Sequence, residues 1–333
     1  MKVGVADLAA SRFAFSPLEE TVAAIRLLAN PGKSAVNGPW VRWAQAQLAA
    51  RPQPLARFWP LVINGLPYYP EFLVPAPEVR CPSFAADLGR LRATPAEAVR
   101  ASLIRVFGDT AWPASAVELA ARPAQGLADI AAELAAFHDR LVAPYWKRIR
   151  AVLDADVAYR GGQLADGGVR ALLRDLHQDI RWDEGVLTIS EPERRVDEVI
   201  LGPDGVVFMP SVFCWPEPSV RKQTSTQTTL NYPARGAATV WYADFGSGPD
   251  QAAAATAQLL GAARARLLSA LRSPATTTAL ARALGVTPGA VSQHLAVLHQ
   301  AGLADRTRAG RAVLYQATDL GLALLDPPSR AGG

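Results

Sequence analysis

Two groups of polar side chains near the C-terminus have the types and spacing that nucleic-acid recognition requires. The first is the run Ser292-Gln293-His294, whose donors and acceptors are of the kind that read base edges in the major groove of DNA. The second is a set of arginines whose permanent charge suits phosphates and the minor groove: Arg306, Arg308 and Arg311. The elements around both groups must therefore present them on one surface.

The sequence around the first group predicts a helix-turn-helix. Residues 276–285 begin with threonines and end with Gly285, which is typical of a short capped helix. In the next helix, residues 288–300, Thr287 is the expected N-cap and Pro288 occupies the first position, where no N–H is needed.

The second helix of this motif has an apolar face and a polar face. Val291, Leu295 and Leu298 recur at i, i+4 and i+7, so we expect them in the core. The other face presents small or short polar residues: Gly289, Ser292, Gln293, Ala296 and Gln300. His294 and His299 flank this face, and for His294 both DNA contact and packing within the protein stay open.

A two-stranded wing is predicted after this helix, at residues 303–308 and 312–317, with the three arginines near its tip. Residues 250–333 contain 8 Arg and 4 Asp, which account for the whole net charge of +4. A small basic region beside a neutral one is typical of a nucleic-acid-binding domain joined to a sensing or oligomerising domain.

Residues 280–303, LARALGVTPGAVSQHLAVLHQAGL, together with the wing that ends Val313-Leu314-Tyr315, resemble the winged helix-turn-helix of ArsR/SmtB-type regulators. The resemblance implies a homodimer that binds a palindromic operator in double-stranded DNA, usually as a repressor. The metal ligands of that family are not repeated, because the helix before the turn has no Cys-x-Cys motif and residues 319–326 contain no histidine. We therefore expect no metal site and no cofactor.

The first 245 residues are predicted to be mainly helical, with a small β section. Apolar periodicity and caps predict helices from Pro17 to the break at residues 30–32, then at 39–50, 84–92, 94–107, 127–159 with a bend at Pro144, and 168–177. Short strands are expected at 186–189, 196–201, 206–209, 224–231 and 238–242. Asp204-Gly205 predicts a hairpin between the second and third of these.

This N-terminal region also resembles an uncharacterised helical domain of actinobacterial regulators, on residues 12–19, 138–160 and 209–213. That resemblance supports the pairing of domains but brings no ligand with it. All eight tryptophans precede residue 250. One hypothesis is that some of them line a pocket for a small organic effector; the rival is a domain that binds a partner protein or only stabilises a dimer.

Other function classes lack their motifs. The sequence has no Gly-rich phosphate loop, no Gly-x-Ser-x-Gly elbow and no HExxH motif, so we expect no enzyme. A winged helix that binds proteins, or an unrecognised activity in the N-terminal domain, is the alternative. Two distant cysteines, no secretory signal and no apolar run long enough for a bilayer predict a cytoplasmic protein that does not contact a membrane.

The sequence thus predicts a mainly α protein, with a regulatory and dimerisation domain at residues 1–245 and a winged helix-turn-helix at residues 246–333. Its predicted function is that of an ArsR-like transcriptional repressor under control of a non-metal effector. Dimerisation is expected through residues 251–271 and 319–325 together with the N-terminal domain. The predicted DNA contacts are Thr287, Pro288, Gly289, Ser292, Gln293, His294, Arg306, Arg308 and Arg311.

Overall fold

The computed structural model describes residues 10–31, 34, 36–66, 68–174, 176–177, 179–183, 186–189, 205–214, 217–221, 227–241, 251–272, 274–309 and 312–325. Its internal contacts divide the chain into two compact units. The N-terminal unit comprises Met1–Ala29 and Ala44–Pro233, and the C-terminal unit comprises Asn30–Trp43 and Ala234–Gly333. In this division residues 30–43 and 234–245 fall with the C-terminal unit, whereas the sequence placed the boundary at residue 245.

Most of the chain is helical, as predicted. The helices up to residue 174 are α1 (Pro17–Ala29), α2 (Gly38–Ala50), α3 (Trp59–Val62), α4 (Phe84–Arg92), α5 (Ala96–Phe107), α6 (Ala114–Ala121), α7 (Pro123–Phe137) and α8 (Trp146–Arg174). The division into units falls within α2, between Trp43 and Ala44. Helix α2 therefore contributes to both units.

The expected long helix at residues 127–159 is interrupted near Pro144. Helix α7 is followed by a π-helical turn at His138–Val142 and a 3-10 turn at Ala143–Tyr145 before α8 begins. Proline lacks an N–H and its ring clashes with the preceding turn, so it breaks regular helical bonding here. Helix α8 then runs past the expected start at residue 168, where Gly168 adopts φ +65° and kinks it. Helix α6 was not predicted, because its alanine-rich sequence has weak periodicity.

A four-stranded sheet packs against these helices, and a separate hairpin accompanies it. The strands are β1 (Arg12–Phe13), β2 (Ile180–Asp183), β3 (Val186–Ile189), β4 (Val206–Ser211), β5 (Ser219–Arg221) and β6 (Thr228–Pro233). The sheet order is β1-β4-β6-β5, with β4 parallel to both neighbours and β5 antiparallel to β6, while β2 and β3 form the hairpin. All six residues of β4 are buried, as in a central strand covered on both faces.

The strands near residues 205 and 240 differ from the predicted ones. The predicted hairpin at Asp204-Gly205 involves residues 196–201, which lie outside the described residues, and the described β4 instead pairs in parallel with β1 and β6. The predicted strand at 238–242 is wrong, since Ala237–Trp241 forms a 3-10 turn. Gly236 at φ +81° starts this turn, and both the N–H and the hydroxyl of Thr239 donate to its carbonyl.

The remaining elements belong to the C-terminal unit. They are α9 (Gln251–Leu260), α10 (Ala262–Ala270), β7 (Ala275–Thr276), α11 (Thr277–Leu284), α12 (Pro288–Gln300), β8 (Ala304–Ala309), β9 (Ala312–Ala317) and α13 (Asp319–Leu325). The three strands form one sheet in the order β7-β9-β8. Apolar side chains from α10, α11, α12 and α13 make one buried cluster that includes Leu268, Leu280, Val291 and Leu298.

Within the parts of the chain that the structure describes, none of the helices combines the length and the apolar character that a bilayer span requires.

Candidate nucleic-acid interface

The turn between α11 and α12 is built by local hydrogen bonds that the sequence specifies. Thr276 caps α11 by accepting a hydrogen bond from the N–H of Ala279 at 3.1 Å. At the other end Gly285 adopts the left-handed conformation with φ +70°. The N–H of Val286 donates to the carbonyl of Ala281 at 3.0 Å, and that of Gly285 to Arg282 at 3.1 Å. This is the pattern of a glycine-terminated helix, and it ends α11 sharply before the turn.

Helix α12 has the predicted boundaries and the predicted buried face. The hydroxyl of Thr287 accepts from the N–H of Ala290 at 3.3 Å, and Pro288 is the first helical residue. Val291, Leu295 and Leu298 are all buried in the core of the unit. Since one face is anchored in this way, the opposite face is held outward without needing contacts of its own.

The outward face of α12 is exposed and uncharged. Exposed residues along it are Thr287, Pro288, Gly289, Ser292, Gln293, Ala296 and Gln300. His294 is half-buried at its edge. A Cβ placed on Gly289 would meet no atom within 4 Å, so packing within the protein does not require glycine there. His299, at the other edge, donates through Nδ1 to the carbonyl of Ala304 at 2.9 Å and ties the helix to β8.

The wing carries exposed positive charge. Strands β8 and β9 pair antiparallel, with Arg306 opposite Tyr315 and Arg308 opposite Val313. Arg306 and Arg308 are both exposed and, being two residues apart on a strand, lie on the same face. Arg311 lies outside the described residues. The wing therefore places at least two of the three predicted arginines together in solvent.

The family comparisons agree with this geometry. Residues 262–306 match the family model of the bacterial regulatory proteins of the arsR family. The C-terminal domain is an ArsR-type winged helix. Residues 114–238 match the model of a family of unknown function (DUF5937), so this chain joins the two domains in the order that the sequence suggested. Residues 138–160 and 209–213, on which the N-terminal resemblance rests, lie inside that match, and residues 12–19 lie before it.

No curated protein and no solved structure matched the chain. The family assignment therefore supports DNA binding and transcription regulation as the general function, through the ArsR-type domain. The individual DNA contacts stay predictions.

Sequence reasoning missed the contacts that hold α11 from outside the winged helix. Gly236, at the start of the 3-10 turn, donates its N–H to the carbonyl of Arg282 at 2.8 Å. In the same turn the indole of Trp241 packs against Trp40 with ring centroids 6.1 Å apart, and its Nε1 donates to the Oδ1 of Asn37 at 2.9 Å. Both tryptophans are fully buried. Helix α11 is therefore supported by segments that lie far from it in sequence.

Other residues with reactive side chains serve the fold of the N-terminal unit. Burial lowers the pKa of His138 to about 4, and its Nδ1 lies 2.9 Å from the hydroxyl of Thr21 while its ring stacks on Phe84. Burial raises the pKa of Cys214 to about 12, and its Sγ donates to the carbonyl of Glu217. Among the described residues no group of three or more His, Cys, Asp or Glu side chains has an arrangement that holds a metal ion.

Proposed function

We propose that the protein is a cytoplasmic transcriptional repressor that binds a palindromic operator through α12 and the wing. The observation that carries this proposal is the division of α12 into a fully buried apolar face and an exposed face of hydroxyl, amide and small side chains. A face without carboxylates does not repel phosphate, and the N-terminal end of the helix carries positive partial charge. Arg306 and Arg308 add charge for the flanking backbone.

The proposal includes a homodimer. Helices α9 and α13, which the sequence assigns to dimerisation, are linked by a hydrogen bond from the Thr256 hydroxyl to the carbonyl of Leu324. Each also exposes a large apolar side chain, since Leu259 is 71% and Leu320 is 61% exposed. A twofold dimer would present two α12 helices to successive major grooves, roughly 34 Å apart.

Control by a non-metal effector bound in the N-terminal domain completes the proposal. This domain is neutral in charge and rich in tryptophan, which favours binding of an organic molecule over binding of DNA. The rival is that the winged helix or the N-terminal domain binds a partner protein.

Footprinting the purified protein on the region upstream of its own gene tests the DNA-binding function. We expect Gln293→Ala to weaken specific binding by roughly 1–3 kcal/mol and to relax the base preference. Arg306→Ala should instead weaken binding to all sequences and reduce its salt dependence. Gln125→Ala, which removes an exposed glutamine of α7 in the N-terminal unit, is the matched control and should bind like wild type. If no footprint appears, and neither variant differs from wild type on any DNA, the protein-binding alternative is favoured.

A further inference from the structure

The N-terminal unit contains an apolar cavity that the function of the winged helix does not explain. Its volume is 520 Å³, within the range of roughly 300–1,000 Å³ that small-molecule sites occupy. Helices α1, α2 and α3, the segment that joins α2 to α3, and Phe137 form its walls. The side chains that define its chemistry are Leu28, Gln45, Leu48, Gln53, Trp59 and Phe137.

One wall of the cavity is held rigidly in place. The carboxylate of Glu133 accepts hydrogen bonds from the backbone N–H of Arg57, at 3.1 and 3.2 Å, and of Phe58, at 2.9 Å. The guanidinium of Arg140 donates to the carbonyl of Arg51 at 2.6 Å. Prolines at positions 52, 54 and 60 restrict the same segment further. Because this wall is fixed before any ligand arrives, little ordering entropy is lost on binding.

The residues that line the cavity indicate which chemical class of ligand it binds. None of the residues that line the cavity is charged, so an ionic group entering it would lose water without gaining a counter-charge. Phe137 is buried at 1% exposure and Trp59 is 38% exposed, so aromatic surface is present both in the interior and toward solvent. The amides of Gln45 and Gln53 provide the hydrogen-bonding groups. Such a lining suits a neutral ring compound with one or two polar substituents.

We propose that this cavity is the effector site and that its ligand is a neutral, mainly apolar ring compound. This proposal deepens the regulator function proposed above. Its regulatory consequence rests on that function, whereas binding of the ligand to the cavity is independent of it.

Helix α2 gives a route by which occupancy would matter. Gln45 and Leu48 line the cavity from the part of α2 that belongs to the N-terminal unit. The start of the same helix belongs to the C-terminal unit, where Trp40 packs against Trp241. A ligand that shifts α2 is therefore expected to change the population of DNA-competent protein, as in other regulators with two coupled sites.

Titration of the full-length protein with the neutral fluorophore N-phenyl-1-naphthylamine tests the site. We expect saturable fluorescence enhancement, which Ala56→Trp should weaken by more than about tenfold because the indole occupies the cavity. Ala46→Trp is the matched control, since Ala46 is exposed on α2 and does not line the cavity; it should bind within about twofold of wild type. Leu48→Gln is a second variant that lowers binding by reducing the apolar lining rather than by filling it.

The proposal would be overturned if the neutral probe showed no saturable binding. It would also be overturned if Ala56→Trp and wild type, both folded by circular dichroism, bound this probe equally well. The third contrary outcome is that the anionic 1-anilinonaphthalene-8-sulfonate binds as tightly as the neutral probe at the site that Ala56→Trp blocks. The same probe, added to footprinting reactions, should change operator affinity in wild type and in Ala46→Trp only. An operator footprint without probe binding removes the cavity proposal alone. Probe binding that Ala56→Trp blocks, without any footprint, removes the DNA-binding function and leaves the ligand site.

Discussion

Helices α1 and α12 begin with the same local signal and have different surroundings. Ser16 caps α1 and Thr287 caps α12, each through a hydrogen bond from a backbone N–H three residues on, and a proline follows each cap. Helix α1 is buried on nearly every side, and the carboxyl groups of Glu19 and Glu20 are buried with it. Helix α12 buries only its apolar stripe: Val291, Leu295 and Leu298.

The polar residues of α1 are used inside the protein. Glu19 forms an ion pair with Arg221 of β5 and accepts from the amide of Asn231 of β6 at 2.9 Å. Glu20 accepts from the N–H of Val212, just beyond β4, at 3.0 Å. These bonds attach α1 to β5, to β6 and to the residue that follows β4. The polar residues of α12 lie in solvent instead. A polar helix face therefore stabilises the fold when it is buried and is available to a ligand when it is exposed.

The largest effect is expected from breaking the buried pair of α1. Arg221→Met leaves the Glu19 carboxylate buried without its counter-charge, so we expect a loss of about 3–5 kcal/mol in the free energy of unfolding. Urea titration of the purified variants measures it, and Gln293→Ala on α12 should cost less than about 0.5 kcal/mol in the same assay.

The double variant Glu19→Gln/Arg221→Met provides the control for this prediction. It should recover part of the loss, because no uncompensated charge stays buried. Equal stability of Arg221→Met and wild type would show that the pair does not hold α1.

The two caps should differ in their contribution to stability. Thr287→Ala removes an exposed cap and should cost about 1 kcal/mol. Ser16→Ala also deprives the buried carboxylate of Asp87 of a 2.6 Å hydrogen bond, which adds about 1–3 kcal/mol. Thermal and urea unfolding of both variants compares them, and equal losses would contradict the distinction between the two helices.

Of the two helices, α1 and not α12 should make stability depend on pH near neutrality. Burial raises the pKa of Glu20 from 4.5 to about 8, so the folded protein keeps a proton that the unfolded chain has released. Stability therefore falls as pH rises through this window, by up to about 1.4 kcal/mol per pH unit. Below pH 6.5 two shifts oppose each other, since the pKa of Asp87 is raised to about 6 and that of His138 is lowered to about 4, both by burial.

Urea titrations at pH 6.5, 7.25 and 8 isolate the Glu20 contribution. Glu20→Gln should flatten the pH dependence in this range, because the amide does not titrate. Glu97→Gln, which changes an exposed carboxylate of α5, is the control and should leave the slope as in wild type. A slope unchanged by Glu20→Gln would contradict the assignment.

A small gain in stability is expected at two glycines in open helical positions. A Cβ at Gly289 of α12 or at Gly89 of α4 would meet no atom within 4 Å, so replacement by alanine should stabilise each helix by about 0.4–1 kcal/mol. Only Gly289→Ala should weaken operator binding, because the added methyl group separates α12 from the base edges. If both variants bound the operator like wild type, close approach at Gly289 would be excluded.

The sequence predicted the ArsR-type domain well because its signals are local. Caps at Thr276 and Thr287, the stop at Gly285 and the apolar spacing along α12 each act within a few residues, and the structure has the helix at Pro288–Gln300 as predicted. The sequence also predicted the mainly α fold and the order of the two domains.

Long-range contacts decided the rest. Thr239, Val240 and Trp241 have β-prone side chains, yet Ala237–Trp241 forms a 3-10 turn that packs against Trp40 and bonds to α11. The sequence predicts the cap of α1 as clearly as that of α12. No local signal shows, however, that Glu19 contacts β5 and β6 or that Glu20 contacts the residue after β4, because these partners are about two hundred residues away. The sequence alone determined where helix α12 lies and which face it exposes. Only the tertiary structure decided which polar residues are buried, because burial depends on the partner that each face meets.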